Sequence, residues 1–312
     1  LGALLEPKVA CLTDMTRVGI RCSHPYTKPT SYSQLHTFHW PDTVTELDFN
    51  DHSQVLSADA WAPLRNLTRM ETFKLDTSHP QYDQYVAFLL PQLPMSVTFL
   101  ELSNRWSAID GQLLDNALAG LTHLTALTSF SLFVDFCNVG LGWPKFVENA
   151  VCWPALRQLT LPQMWSPAMC HHLTQIPLTS PHFSKLGAIV GDTEVLTIIS
   201  RLSHLSSLTL VPDSGWDEAA ASSTFVLPNP LTMPSLTELR VLDAWNAHGP
   251  PRVLTLGPLE PLLKHLYPPN LTHFSIRRLN SSGIQQTEID FLLEWLWPLT
   301  QLQLLSIRHG NF

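Results

Sequence analysis

A six-residue window with bulky apolar side chains at its first, fourth and sixth places recurs along the chain. It reads Met15-Val18-Ile20, Val44-Leu47-Phe49, Met70-Phe73-Leu75, Val97-Leu100-Leu102, Leu127-Phe130-Leu132 and Leu156-Leu159-Leu161. It continues as Leu205-Leu208-Leu210, Leu236-Leu239-Val241, Leu271-Phe274-Ile276 and Leu302-Leu305-Ile307, with Phe183-Leu186-Ala188 as a weaker copy. Successive windows start 22 to 35 residues apart, a near-period that scattered apolar residues do not keep over eleven copies. Places four and six flank a fifth place that is polar in most copies (Asp48, Lys74, Glu101, Ser131, Thr160, Thr209, Arg240, Ser275, Ser306), the alternation of a strand buried on one face. Place one tucks in from a preceding turn.

The segments between windows carry helical spacing, as in Leu113, Leu114, Leu118, Leu121 and Leu124, or Ile289, Leu292, Leu293 and Leu296. Pro41, Pro94, Pro154, Pro181, Pro234, Pro269 and Pro298 stand two to four residues ahead of a window, where proline stops a helix and its missing N–H costs no ladder bond. A strand, a turn, a helix and a proline stop therefore make one unit. Trp40, Trp153 and Trp297 each precede such a proline and are expected as core plugs, with Trp61 and Trp295 buried within helices. Trp106, Trp143, Trp165, Trp216 and Trp245 follow strands, and suit either a binding rim or loop packing.

With these units the chain resembles the leucine-rich repeat family from about residue 15 onward. Residues 114–132 (LDNALAGLTHLTALTSFSL) and 299–307 (LTQLQLLSI) carry the resemblance best. It implies an α/β solenoid of about eleven irregular repeats: a curved parallel sheet on the concave face, with helices and loops on the convex face. Residues 1–14 would form an N-terminal cap and residues 15–312 the repeats of one domain. The spacing near 28 is similar to the longer, helix-backed intracellular type. After the strand the family usually places Asn, Cys or Thr. Here that place holds His52, Ser78, Arg105, Asp135, Met164, Asp213, Ala244, Leu279 and Gly310, so an asparagine ladder is not expected. One unit cannot bury its apolar face alone, and stability has to come from neighbour-to-neighbour contacts.

Composition narrows the picture further. Of 312 residues, 45% are hydrophobic and 14% charged, which excludes a disordered polymer. Eighteen basic against 26 acidic residues give a formal charge of −8, so nucleic acid is not the default partner. The most apolar stretch, 85–102, is interrupted by Pro91, Gln92, Pro94 and Ser96, and no membrane insertion is expected. Cys11, Cys22, Cys137, Cys152 and Cys170 are odd in number and scattered, unlike a disulfide framework. The sequons at Asn66, Asn270 and Asn280 are no more than chance supplies in a Ser/Thr-rich chain.

Catalytic patterns are missing from the sequence: it holds no Gly-x-Ser-x-Gly elbow, no phosphate loop and no His-Glu-x-x-His pair. Gly140-Leu141-Gly142 is followed by Trp143 and Pro144, where a phosphate loop needs glycine and a helix start. Cys170-His171-His172 with Cys152 has zinc-binding atoms, but adjacent histidines on a helix point about 100° apart. The expectation is a non-enzymatic protein with no cofactor, no metal and no small-molecule substrate. Its expected work is protein–protein interaction as a scaffold, as a structural or assembly subunit of a larger complex. The alternatives are the substrate-binding half of an F-box-type ubiquitin ligase adaptor and a secreted recognition ectodomain.

Two surfaces are candidates for partners. On the presumed concave face the early windows carry Glu46, Asp48, Asp51, Glu71, Asp76 and Glu101, opposed by Arg17, Arg21 and Lys74. The late windows carry Arg240, His273, Arg277, Arg278, Arg308 and His309, opposed by Glu238 and Asp243. Such a groove would orient an elongated partner, since complementary charge sets direction and encounter rate more than affinity. RNA stands behind protein as a partner of the basic residues, because no basic run interleaved with aromatics accompanies them. The second surface is the C-terminal edge, Leu302, Leu305, Ile307 and Phe312, where the residues after the last window leave no space for a capping unit. Either the natural chain continues or, as expected here, another subunit covers this edge. The sequence begins at Leu1, so a leader was removed or the gene product starts earlier. An intracellular site is favoured, and an organellar, mitochondrial one if a leader was lost.

Overall fold

A computed structural model describes residues 16–22, 40–51, 61–77, 82–104, 118–134, 152–160, 185–190, 193–212, 231–241, 263–264, 266–279 and 286–309. The chain divides into two compact units, Leu1–Pro162 and Gln163–Phe312.

In the first unit six parallel strands follow in sequence order: β1 (Arg17–Cys22), β2 (Glu46–Asp51), β3 (Thr72–Thr77), β4 (Phe99–Asn104), β5 (Ser129–Val134) and β6 (Gln158–Thr160). Each coincides with one of the apolar windows. The register keeps like places together: Val18, Leu47, Phe73, Leu100, Phe130 and Leu159 stand in one row, and Ile20, Phe49, Leu75, Leu102 and Leu132 in the next. From Leu47 to Leu159 the described side chains of these rows are buried. Short 3-10 helices (Ala62–Asn66, Leu90–Gln92, Gly120–His123) and one α-helix, α1 (Tyr82–Leu89), return the chain to the start of the next strand.

The second unit repeats the plan. Strands β7 (Lys185–Val190), β8 (Ser207–Pro212), β10 (Glu238–Val241), β12 (His273–Leu279) and β13 (Leu304–His309) pair in parallel, with α2 (Thr193–Ser200) and α3 (Gln286–Leu296) among the returns. A separate two-stranded pair joins β9 (Leu231–Thr232) to β11 (Leu266–Tyr267). Leu208, Leu239 and Phe274 form one buried row, and Leu210, Val241 and Ile276 the other.

A hydrogen-bond ladder stands at the second place of the window, which the apolar frame does not register. There the carbonyl oxygen of Thr16 accepts the N–H groups of Thr45 and Glu46 at 2.8 and 3.0 Å, and that of Thr45 accepts those of Glu71 and Thr72. The same double acceptance runs through Glu71, Thr98 and Thr128, and in the second unit through Ser206, Thr237 and Thr272. Threonine hydroxyls add a third donor, from Thr128 to Thr98 O at 2.9 Å and from Thr272 to Thr237 O at 2.9 Å. One carbonyl per repeat thus pairs two backbone donors where the turn becomes a strand. Side chains tie neighbouring returns as well: Trp153 Nε1 donates to Leu121 O at 3.0 Å, and Ser96 Oγ to Met70 O at 2.7 Å.

The expected core tryptophans divide. Trp40, Trp61 and Trp153 are buried, and Trp61 stands edge-on to Phe49 at 5.0 Å and to Phe73 at 6.5 Å. Trp295 is half-buried against Phe274, 5.1 Å away. Trp297 is not a core plug: it is 89% exposed. The helical phase explains this, because Leu292 and Trp295 already fill the inner face of α3 and Trp297 follows on the outer one. Trp106, Trp143, Trp165, Trp216 and Trp245 lie outside the described residues.

Candidate functional site

The parity that drives alternate residues into the core puts the others on the opposite face, in rows set by the same register. In the first unit Gly19, Asp48, Lys74, Glu101, Ser131 and Thr160 form the central row. Arg17, Glu46, Thr72, Phe99, Ser129 and Gln158 form a row on one side, and Arg21, Asn50, Asp76, Ser103 and Phe133 on the other. Strand pairing therefore brings Glu46, Asp48, Asp76 and Glu101 onto one face, although they are spread over 56 positions of sequence. Two expected members fall elsewhere. Asp51 is in register with Cys22 and Thr77, continuing the core-side parity of Leu47 and Phe49. Glu71 precedes β3 in the exposed turn, where its carbonyl serves the ladder.

Lys74 lies at the middle of the acidic group. Its Nζ is 3.6 Å from Glu46 Oε1 and 5.6 Å from the Phe99 ring centre, and Arg17 reaches the same Glu46 oxygen at 2.7 Å. Asn50 donates to Asp76 at 3.3 Å. Burial raises the Glu101 carboxyl above its ordinary range; Lys74 opposes the shift, and Asp48 and Asp76 add to it. Such half-exposed pairs contribute little to folding, about 0–1 kcal/mol each, so they leave the charge of the face open to a partner.

In the second unit the corresponding central row is Gly187, Thr209, Arg240, Ser275 and Ser306. Arg240 is tied within its own strand, Nε and Nη2 donating to Glu238 Oε1 at 2.8 and 2.5 Å, while Ser207 donates to the other oxygen at 2.7 Å. Arg277 and Arg308 are paired in register, two like charges on adjacent strands. Arg278 is the extra residue of a register shift between Arg277 and Leu279, so it leaves the row it was expected to join. His309 pairs with Leu279, and exposed His273 with Leu304. The acidic residue Asp243 lies outside the described residues.

At the C-terminal edge Leu302 is half-buried while Leu305 and Ile307 are exposed; Phe312 lies outside the described residues. So do Cys11, Cys170, His171 and the Gly140–Gly142 stretch. Cys152 is a free thiol. Among the described residues no group of three or more His, Cys, Asp and Glu could hold a metal ion, and no helix is long and apolar enough to cross a membrane. One recess of about 400 Å³ lies among the returns of the first unit, lined in part by Arg65, Thr68, Pro91, Ser96 and His123. Its polar heads are spent on the chain itself: Arg65 donates to Pro91 O, and His123 bonds Gly120 O and Leu93 O at 3.0 and 3.1 Å.

No protein-family model and no curated protein matches the sequence. Among solved structures the chain is similar to a tropomodulin C-terminal domain of Caenorhabditis elegans, at 14% identity and a TM-score of 0.35, over 56% of this chain and 89% of that one. A Bacteroides fragilis protein matches at 13% identity and a TM-score of 0.39, over 88% of this chain and 66% of that one. The mouse RP105/MD-1 complex matches at 15% identity and a TM-score of 0.32, over 86% of this chain and 47% of that one. The chain thus spans about two thirds of the second structure and about half of the third. At such scores these likenesses carry no argument, and the strand register remains the ground for reading the fold.

Proposed function

We propose that this is a non-enzymatic leucine-rich-repeat-type solenoid that holds other proteins as a subunit of a larger complex. The observation behind this reading is the strand face of the first unit. Glu46, Asp48, Asp76 and Glu101 are brought together by register, and among the described side chains of that face only Arg17 and Lys74 oppose them. A face built from in-register rows offers a partner a long, evenly spaced set of contacts, and its negative sign selects a segment rich in Lys or Arg. Arg277, Arg278 and Arg308 of the second unit are proposed contacts for an acidic partner segment. A role as the substrate-binding half of a ubiquitin ligase adaptor or as a secreted ectodomain would use the same strand faces.

The test is co-purification of the tagged chain at native expression level, with its companions identified by mass spectrometry. Asp48→Lys with Glu101→Lys should lose a companion that wild type retains, and wild-type capture should weaken as salt rises. An unchanged set of companions at low salt would refute the role of this face.

A further inference from the structure

Asp48 of β2 and Glu101 of β4 flank Lys74 in register along the central row. The lysine side chain leans toward the strand starts, where Thr72 stands between Glu46 of β2 and Phe99 of β4 in the adjoining row. Nζ comes to 3.6 Å from Glu46 Oε1 and to 5.6 Å from the Phe99 ring centre. A carboxylate and an aromatic ring thus bound a notch that already holds a cation. The hold is loose. At 3.6 Å the pair is too long for a hydrogen bond, and the Lys74 side chain is 33% exposed. Arg17 takes the same Oε1 from the β1 side at 2.7 Å, which leaves Oε2 with no hydrogen bond among the described residues.

Shape says which cation the notch suits. An ammonium is a point charge, whereas a guanidinium is planar, stacks flat on a ring and forks onto a carboxylate. Ring and carboxylate on either side of one short residue therefore fit arginine better than the lysine now there. The other charges of the face do not make this choice. Asp48, Asp76 and Glu101 attract lysine and arginine alike, and Arg21, in register with Asn50 and Asp76, opposes both alike. We infer that Glu46 and Phe99 form the seat for an arginine side chain of a partner, with Lys74 as the chain's own placeholder, displaced when that arginine arrives. This rests on the proposed role of the acidic face and names what that face selects: a segment carrying arginine in preference to lysine.

The test uses two labelled peptides of equal length, one with arginines spaced by serine and glycine, the other with lysines at the same places. Binding to the whole chain is read by fluorescence anisotropy. Wild type should bind the arginine peptide about three-fold tighter or more, and Phe99→Leu should erase that difference. Lys74→Gln should tighten the arginine peptide about three- to ten-fold by emptying the seat. Thr160→Glu shifts the charge of the face by the same single unit, two strands beyond Glu101, and should tighten it less than about two-fold. Phe99, Lys74 and Thr160 are all half-exposed, and circular dichroism checks that each variant folds. Equal gains from Lys74→Gln and Thr160→Glu would overturn the proposal, since net charge would then account for both. So would the lack of an arginine preference, or one that Phe99→Leu leaves intact. Asp48→Lys with Glu101→Lys tests the face itself. If that pair abolishes binding while Lys74→Gln changes nothing, the placeholder falls and the acidic face stands; if the pair changes nothing, both fall.

Discussion

Two isoleucines in adjacent strands make the sharpest comparison in the molecule. Ile276 of β12 and Ile307 of β13 are the same residue, at the same place of the window, paired in register. Ile276 is fully buried, whereas Ile307 is 36% exposed; Phe274 and Leu305, the pair before them, differ more, at 0% and 45%. Nothing in the side chains accounts for this. β12 lies between β10 and β13, while β13, among the described residues, pairs with β12 alone. Burial in a stacked array is supplied by the next unit and not by the residue itself.

The comparison breaks or holds under mutation, and the largest effect belongs to the inner strand. Phe274→Ala is expected to cost about 3–5 kcal/mol and Ile276→Ala about 2–5 kcal/mol, because each leaves a cavity between two neighbours. Leu305→Ala and Ile307→Ala should each cost below about 1 kcal/mol, as at exposed positions generally. Chemical denaturation of the four variants checks this, and equal losses at Ile276 and Ile307 would remove the distinction. A smaller effect is expected from the ladder. Thr128→Val deletes a hydroxyl that bonds Thr98 O and should cost about 0.5–1.5 kcal/mol. Thr45→Val, whose hydroxyl bond to Thr16 O lies in the exposed first turn at 3.1 Å, should cost less.

The smallest effect is electrostatic. Glu101 lies between β3 and β5, and burial raises its carboxyl, with Asp48 and Asp76 adding and Lys74 opposing. The folded chain therefore holds this proton to higher pH than the unfolded chain does. Below the ordinary carboxylate range both forms are protonated and nothing is lost. As pH rises through the window up to the folded value, stability falls, and the loss then persists to neutral pH. Glu101→Gln should raise Tm at pH 7 by on the order of 1 °C. At pH 3 it should give no gain, and an equal gain at both values would contradict the assignment.

The strands were legible because the pattern and the physics agree: period-two apolar places are what a one-sided strand needs, and every window coincides with a strand. The register followed in its parity, since a one-residue slip would turn Leu47 or Phe130 toward water. The ladder was not legible from apolar residues, though its signal was present in the threonines at place two: Thr16, Thr45, Thr98, Thr128, Thr237 and Thr272. Trp297 was misread because proximity to a proline says where a helix ends and not which face its last residue presents. Of the charged site, Glu46, Asp48, Asp76 and Glu101 could be placed from parity. The same parity assigns Asp51 to the places of Leu47 and Phe49, whereas Glu71 and Arg278 could not be placed by it, because they sit where a strand starts or bulges.

The central claim is that β13 has the apolar places of an inner strand yet, among the described residues, is paired on one side alone. Amide hydrogen exchange, resolved residue by residue, tests it most directly. In a parallel ladder alternate N–H groups point to opposite neighbours. Leu304 donates to Thr272 O, so the N–H groups of Leu305 and Ile307 face the edge, while those of Phe274 and Ile276 face β13. The account predicts fast exchange at Leu305 and Ile307 and slow exchange at Phe274, Ile276 and Leu304. Protection at Leu305 and Ile307 equal to that at Phe274 in the free chain would contradict it.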